Sequence, residues 1–238
     1  MIRKKLLFVI VLFLATFCYA QSTYTINNNK QQYKWFDSIV GQKNSELSLG
    51  PKYTNTIRTT KTNHQYFLSK KFLIGNITYN GQAYFDIKMK YDVHFDQIIV
   101  QLSNEFEKYS VLLEKSKIQS FSINNKNFIN ISSKKNTYQF VEELKKGKIT
   151  LYKKLFKQRY RKTNKRYRYS NLRDENYYII LYQNAFLEIK SKSNLTKQFP
   201  NIKKEINQLY KKLNSSKNKD VFMVDLISKI ELLISNKM

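Results

Sequence analysis

Apolar and polar residues alternate with a period of two through two adjoining stretches of the chain. Leu73, Gly75, Ile77 and Tyr79 interleave with Phe72, Ile74, Asn76 and Thr78. Further on, Ala83, Phe85, Ile87, Met89 and Tyr91 interleave with Tyr84, Asp86, Lys88 and Lys90. Successive side chains of a strand point to opposite faces, so the pattern predicts a half-buried antiparallel pair. Asn80-Gly81 stands between the two runs. A two-residue type I′ turn needs positive φ at both central positions, and Asn followed by Gly supplies it at least strain. A third strand, residues 97–102, is apolar on both faces and is expected to lie more centrally.

Short strands continue beyond this meander. Residues 109–113 form one candidate, and 118–123 with 128–131 form a hairpin joined through Asn124-Asn125-Lys126, where Asn tolerates the left-handed backbone. Residues 138–144 follow, with Gly147 as a turn residue. From Ile149 the pattern predicts one long hairpin, whose return strand holds Tyr177, Tyr178, Ile179, Ile180 and Leu181. A turn at Gln183-Asn184 then leads into residues 186–189. Strands recurring every 8–12 residues or so, with turn residues between them, mark an all-β sandwich, barrel or half-barrel.

The period changes in the last fifty residues or so. Ile202, Ile206, Leu209, Tyr210 and Leu213 share one helical stripe, opened by Pro200 near the first turn. Met223, Leu226, Ile227, Ile230, Leu233 and Ile234 repeat the spacing, with Asp220 placed to cap the N-terminus. Both stripes need an apolar partner, and the sheet is the surface at hand. Residues 21–65 are polar and poorly periodic. They read as an extended arm held by Trp35 and Phe36, with Ile39 and Val40 as further apolar groups.

The first twenty residues lie outside this fold. Arg3, Lys4 and Lys5 precede an apolar run from Leu6 to Phe17, and Cys18-Tyr19-Ala20 suits a cleavage site before Gln21. This is the architecture of a Sec-type signal peptide, and the apolar run is short for a bilayer span. What remains suffices for one good-sized domain or two small ones. The single Cys lies in the signal, so the exported chain would have no disulfide, thiolate nucleophile or Cys-ligated metal. Expected locations are the periplasm or the periplasmic face of the outer membrane, ahead of the extracellular medium, with no transmembrane span after cleavage.

Charge sharpens the functional question. The chain carries 43 Lys and Arg against 17 Asp and Glu, a formal net charge of +26. Such an excess suits an anionic partner. Abundant Lys and Asn with few Gly and Pro would equally follow from an AT-rich genome. The cations concentrate at the tip of the long hairpin: Lys157, Arg159, Arg161, Lys162, Lys165, Arg166, Arg168 and Arg173, with Tyr160, Tyr167 and Tyr169 between them. Arginine forks fit phosphate oxygens and tyrosines offer stacking faces. Export makes nucleic acid a poor partner, which leaves lipid or lipopolysaccharide phosphates, or the acidic face of an envelope protein.

Catalytic material is thin. There are two His, with no nucleophile elbow, no phosphate-cradling Gly loop and no His-x-x-x-His pair. Glu142-Glu143 are neighbours on a strand and face opposite ways. Asp92-x-His94-x-Asp96 would present one metal-ligating face on a continuous strand, but a turn between strands would break that geometry. The expectation is a non-enzyme without cofactor.

Several stretches resemble a family of uncharacterised exported cell-envelope proteins of Bacteroidota. The matching residues are 75–81 (GNITYNG), Lys90-Tyr91-Asp92, Asp96-Gln97, Tyr177-Tyr178, Ser191-Lys192-Ser193 and 199–206 (FPNIKKEI). The resemblance implies a periplasmic or outer-membrane-associated protein and brings no activity with it.

These readings combine into an α+β, β-rich chain. A signal peptide spans 1–20, an arm 21–65, and an antiparallel meander or half-barrel-like sheet 66–190, with the basic hairpin at 157–173. A pair of amphipathic helices in 191–238 packs on the sheet as part of the same domain. The expected role is that of an accessory protein contacting an anionic surface or a larger envelope assembly. A half-barrel carrier of a lipophilic ligand and a hydrolase without a recognisable motif stay open as alternatives.

Overall fold

The computed structural model describes residues 30–35, 39, 41, 44–60, 62–103, 107–132, 138–163, 168–213 and 218–235. The signal peptide, Phe36, Val40, Lys165, Arg166 and Tyr167 lie outside the described residues. Ten strands form one antiparallel sheet: β1 (Leu73–Tyr79), β2 (Gln82–Asp92), β3 (Gln97–Ser103), β4 (Lys108–Leu112), β5 (Ile118–Ile123), β6 (Lys126–Asn130), β7 (Phe140–Lys145), β8 (Thr150–Lys154), β11 (Tyr177–Tyr182) and β12 (Ala185–Ile189). Their order is β12-β11-β8-β7-β6-β5-β1-β2-β3-β4. β9 (Lys157–Thr163) and β10 (Arg168–Asp174) pair separately as a two-stranded ribbon.

Three corners follow directly from turn chemistry. Asn80 and Gly81 have φ of 49° and 82°, Asn124 and Asn125 of 50° and 59°, and Gln183 and Asn184 of 49° and 59°. Each pair has the two positive φ values of a type I′ turn. β3 is flanked on both sides but is second from the edge, less central than its apolar sequence suggests.

A bulge changes the facing of β2. Asp86 sits at φ 55°, and its backbone N–H donates to Asn76 Oδ1 at 3.1 Å. The register against β1 shifts between Gly75 and Ile77. The extra residue puts Tyr84 on the buried face with Ile87 and Met89, whereas strict alternation assigns that face to Phe85. Phe85 is half-buried and meets Tyr33 and Lys30 instead.

One face of the β1–β7 region packs an aromatic core. Phe121 stacks on Phe128 with centroids 4.7 Å apart, and Tyr91 meets Phe121, Phe128 and Phe140 edge-on. At the β8-β11-β12 end, Leu151, Tyr178, Ile180 and Ile189 receive the C-terminal helices. Among the described C-terminal residues there are three helices, where the stripes predict two: α1 (Lys192–Gln198), α2 (Lys203–Leu213) and α3 (Lys219–Ser235). α1 is started by Asn194, whose Oδ1 accepts from the Ser191 N–H and hydroxyl at 2.9 and 3.0 Å. Asn218, rather than Asp220, caps α3 by accepting from the N–H groups of Asp220 and Val221. Asp220 ties the helix to the sheet, accepting from Lys153 Nζ and Tyr178 Oη, each at 2.6 Å.

The arm docks at other points than its sequence suggests. Trp35 is 66% exposed and Ile39 64%. Among the described apolar residues of the arm, Leu47 and Ile57 are buried instead, as is Tyr66 just beyond it. Residues 51–53 run along the outer edge of β4: Leu112 N–H donates to Pro51 O at 2.9 Å and Tyr53 N–H to Ser110 O at 2.8 Å.

Candidate anion-binding ribbon

The basic hairpin leaves the sheet through a polar joint. Phe156 N–H donates to Asn176 Oδ1 at 3.0 Å and Glu175 N–H to Phe156 O at 2.9 Å, bridging the break between the β8–β11 ladder and the β9–β10 ladder. The ribbon pairs from Lys157 opposite Asp174 to Thr163 opposite Arg168. The arm holds the β10 edge. Ser170 N–H donates to Arg58 O at 2.8 Å. The Asn63 carboxamide clasps Leu172 from both sides, donating to its carbonyl and accepting from its N–H, each at 2.6 Å. Leu172 and Ser170 are buried.

Cross-strand partners share a face, so the cations divide into two sets. Arg159, Arg161 and Arg168 lie on the face of Ser170 and Leu172, whereas Lys162 and Arg173 lie with Tyr160 and Tyr169. Arg161, Lys162, Arg168 and Arg173 are exposed. Among the described residues, none of these four has a carboxylate partner. Arg173 covers the Tyr160 ring at 5.2 Å, and Tyr160 Oη donates to Glu175 at 3.0 Å. Arg159 is half-buried and donates from Nε to Ser170 Oγ at 2.8 Å.

Lys157 drops out of the anion-binding set. Its ammonium donates to His64 O at 2.8 Å and Tyr66 O at 3.2 Å, pinning the ribbon's base to the arm. Burial lowers its pKa, against the pull of Asp174 and Asp92. The only sequence signal for this role is its place at the ribbon's root, where one sheet gives way to the other.

Asp92, His94 and Asp96 gather near that root but turn to different partners. Asp92 Oδ1 accepts from the N–H groups of His94 and Phe95 at 3.1 and 3.0 Å, as the cap of the β2–β3 turn. The residue is fully buried, its Oδ2 has no partner among the described residues, and burial raises its pKa. His94 Nδ1 meets Lys157 O at 2.8 Å. Asp96, at φ 54°, accepts from Tyr91 Oη at 2.6 Å and Lys154 Nζ at 2.7 Å. The continuous strand that would have aligned the three ends at Asp92, and among the described residues no group of three or more metal-ligating side chains converges.

Glu142 is buried and engages Lys126 at 2.6 Å, and that contact raises the lysine's pKa.

No family model matches the sequence, no curated protein matches it, and no solved structure matches the fold.

Proposed function

We propose that this chain is an exported, non-catalytic protein of the cell envelope that holds a basic, tyrosine-bearing ribbon against an anionic surface. The observation that carries the reading is the ribbon's separation from the sheet: β9 and β10 form their own two-stranded unit with four exposed cations that have no carboxylate partner among the described residues. A solvated loop of random charge has no need of a root clamped by Lys157 and a flank clasped by Asn63. Guanidinium and ammonium groups on a fixed two-stranded support meet phosphate oxygens with little ordering cost. The carrier alternative is weakened by the aromatic core, because Phe121, Phe128, Phe140 and Tyr91 fill the space where a lipophilic ligand would sit.

Co-sedimentation with vesicles tests the proposal. Phosphatidylglycerol-containing vesicles are expected to bind the protein, and phosphatidylcholine vesicles to leave it in solution. Affinity should collapse by about 0.5 M salt, where screening lengths shrink to a few ångströms. The triple variant Arg161→Glu, Lys162→Glu, Arg168→Glu should lose binding. The same charge change at the exposed Lys203, Lys204 and Lys211 of α2 should cost much less. Equal losses from both variants would reduce the effect to net charge and overturn the assignment to the ribbon.

A further inference from the structure

The ten-stranded sheet has two edges, and they are treated differently. Residues 51–53 cover the outer edge of β4. The outer edge of β12 has no backbone partner among the described residues. Which groups point outward follows from the turn. Gln183 and Asn184 make a two-residue hairpin, so its closing pair, Tyr182 and Ala185, exchange hydrogen bonds. Leu187 and Ile189 then bond inward to Ile180 and Tyr178, and Phe186 and Glu188 present their N–H and C=O groups outward.

Side chains make the edge adhesive. Phe186 belongs to an apolar cluster on the sheet face away from the helices, 6.2 Å from Tyr138 and 6.4 Å from Tyr152. Leu187 belongs to the cluster under the helices. Both are only half-buried. Unpaired edges are ordinarily protected by cations, Pro or bulges. β9 follows that rule with Lys157, Arg159, Arg161 and Lys162, whereas β12 (AFLEI) has no cation, no Pro and no register shift.

We infer that β12 is a strand-addition interface through which two copies of this chain join their sheets, antiparallel across a two-fold axis at Leu187. The spacing is self-complementary. With Leu187 facing its own copy, Phe186 of each strand stands opposite Glu188 of the other. The four outward-pointing residues then exchange four backbone hydrogen bonds. The charge pattern allows it: each Glu188 carboxylate already has Lys190 Nζ at 3.3 Å, so the two acids near the axis are neutralised from their own strands. Phe186 and Leu187 would extend both apolar clusters across the seam. A two-fold contact of this kind closes on itself and makes a dimer, not a fibre.

Analytical ultracentrifugation of the purified protein tests this at about 100 μM, a concentration suited to a micromolar dimer. The expected species is a dimer. Glu188→Pro removes only an outward N–H, a position where an edge strand tolerates Pro, and should give a monomer. Phe186→Glu sets two like-charge pairs across the seam and should weaken the dimer by about tenfold. Adding Glu188→Lys to that variant turns both pairs into attractions and should restore association. A monomeric wild-type protein, a dimer unaffected by Glu188→Pro, or a charge-swapped variant that fails to recover would each overturn the interface.

Discussion

Two hairpins of this molecule share a backbone plan and differ in what stabilises them. β1–β2 turns at Asn80-Gly81 and buries Ile77, Tyr79, Ile87, Met89 and Tyr91 against the aromatic core. β9–β10 pairs just as regularly, yet on β9 no residue is buried and on β10 only Ser170 and Leu172 are. The first hairpin is held by side chains withdrawn from water, worth about 1.5–3 kcal/mol each. The second is held by its edges: backbone hydrogen bonds to the arm, one Asn clasp and one lysine at the root. A hairpin alone is marginal in water. The ribbon is therefore stable only as an attachment, and its outer surface is free to carry charge.

The largest expected effect strikes the core. Phe128→Ala removes the ring that stacks on Phe121 and should cost about 3–5 kcal/mol, visible as a lower urea midpoint for the whole chain. Asn63→Ala should cost about 2 kcal/mol by leaving the buried Leu172 N–H and C=O without partners. That loss should stay local: faster hydrogen exchange in residues 157–174, with the amides of β1, β2 and β5 unchanged. A uniform acceleration through both regions would show the ribbon and sheet to be one cooperative unit.

Asp92 at the junction of the two regions yields a gain. Its burial raises the folded-state pKa, so the folded chain binds a proton more tightly than the unfolded one. Stability from this group is full below the ordinary carboxylate range and falls as pH rises through the elevated value. Asp92→Asn keeps the Oδ1 cap and removes the buried charge. It should stabilise the protein toward neutral pH and flatten that slope in chemical-denaturation series. Asp220 has the opposite sign. Its own burial raises the pKa, but Lys153 and Tyr178 outweigh burial and lower it. Its contribution is therefore lost as pH drops below about 4. The smallest effect belongs to the ribbon surface: Arg161→Ala should move stability by less than about 0.5 kcal/mol while measurably weakening vesicle binding.

Turn chemistry was legible in the sequence because it is local. Asn80-Gly81, Asn124-Asn125 and Gln183-Asn184 need no knowledge of distant contacts to adopt positive φ. The Asp86 bulge was hidden, since the Asn76 side chain that accommodates it lies on the neighbouring strand. α1 was missed because Leu195 is its only buried residue and its start depends on a Ser191–Asn194 bond. The arm's anchors escaped notice because Leu47 and Ile57 are isolated apolar residues in a polar stretch, whereas Trp35 is conspicuous and exposed. Within the candidate site, exposure separated Lys157 from Arg161, Lys162 and Arg168, and exposure is a property of the packed chain.

The arm's attachments have a temporal corollary. Asn63 reaches Leu172 across 109 positions of chain, and Lys157 reaches His64 across 93. Closing such spans is entropically slow and must wait until the distant half exists and has folded. A chain cut short after β8 would lack the whole ribbon and leave the residue 58–63 segment with nothing to grip. Seating of residues 58–64 thus reports that synthesis has run past β10, whereas residues 51–53 can seat as soon as β4 is in place.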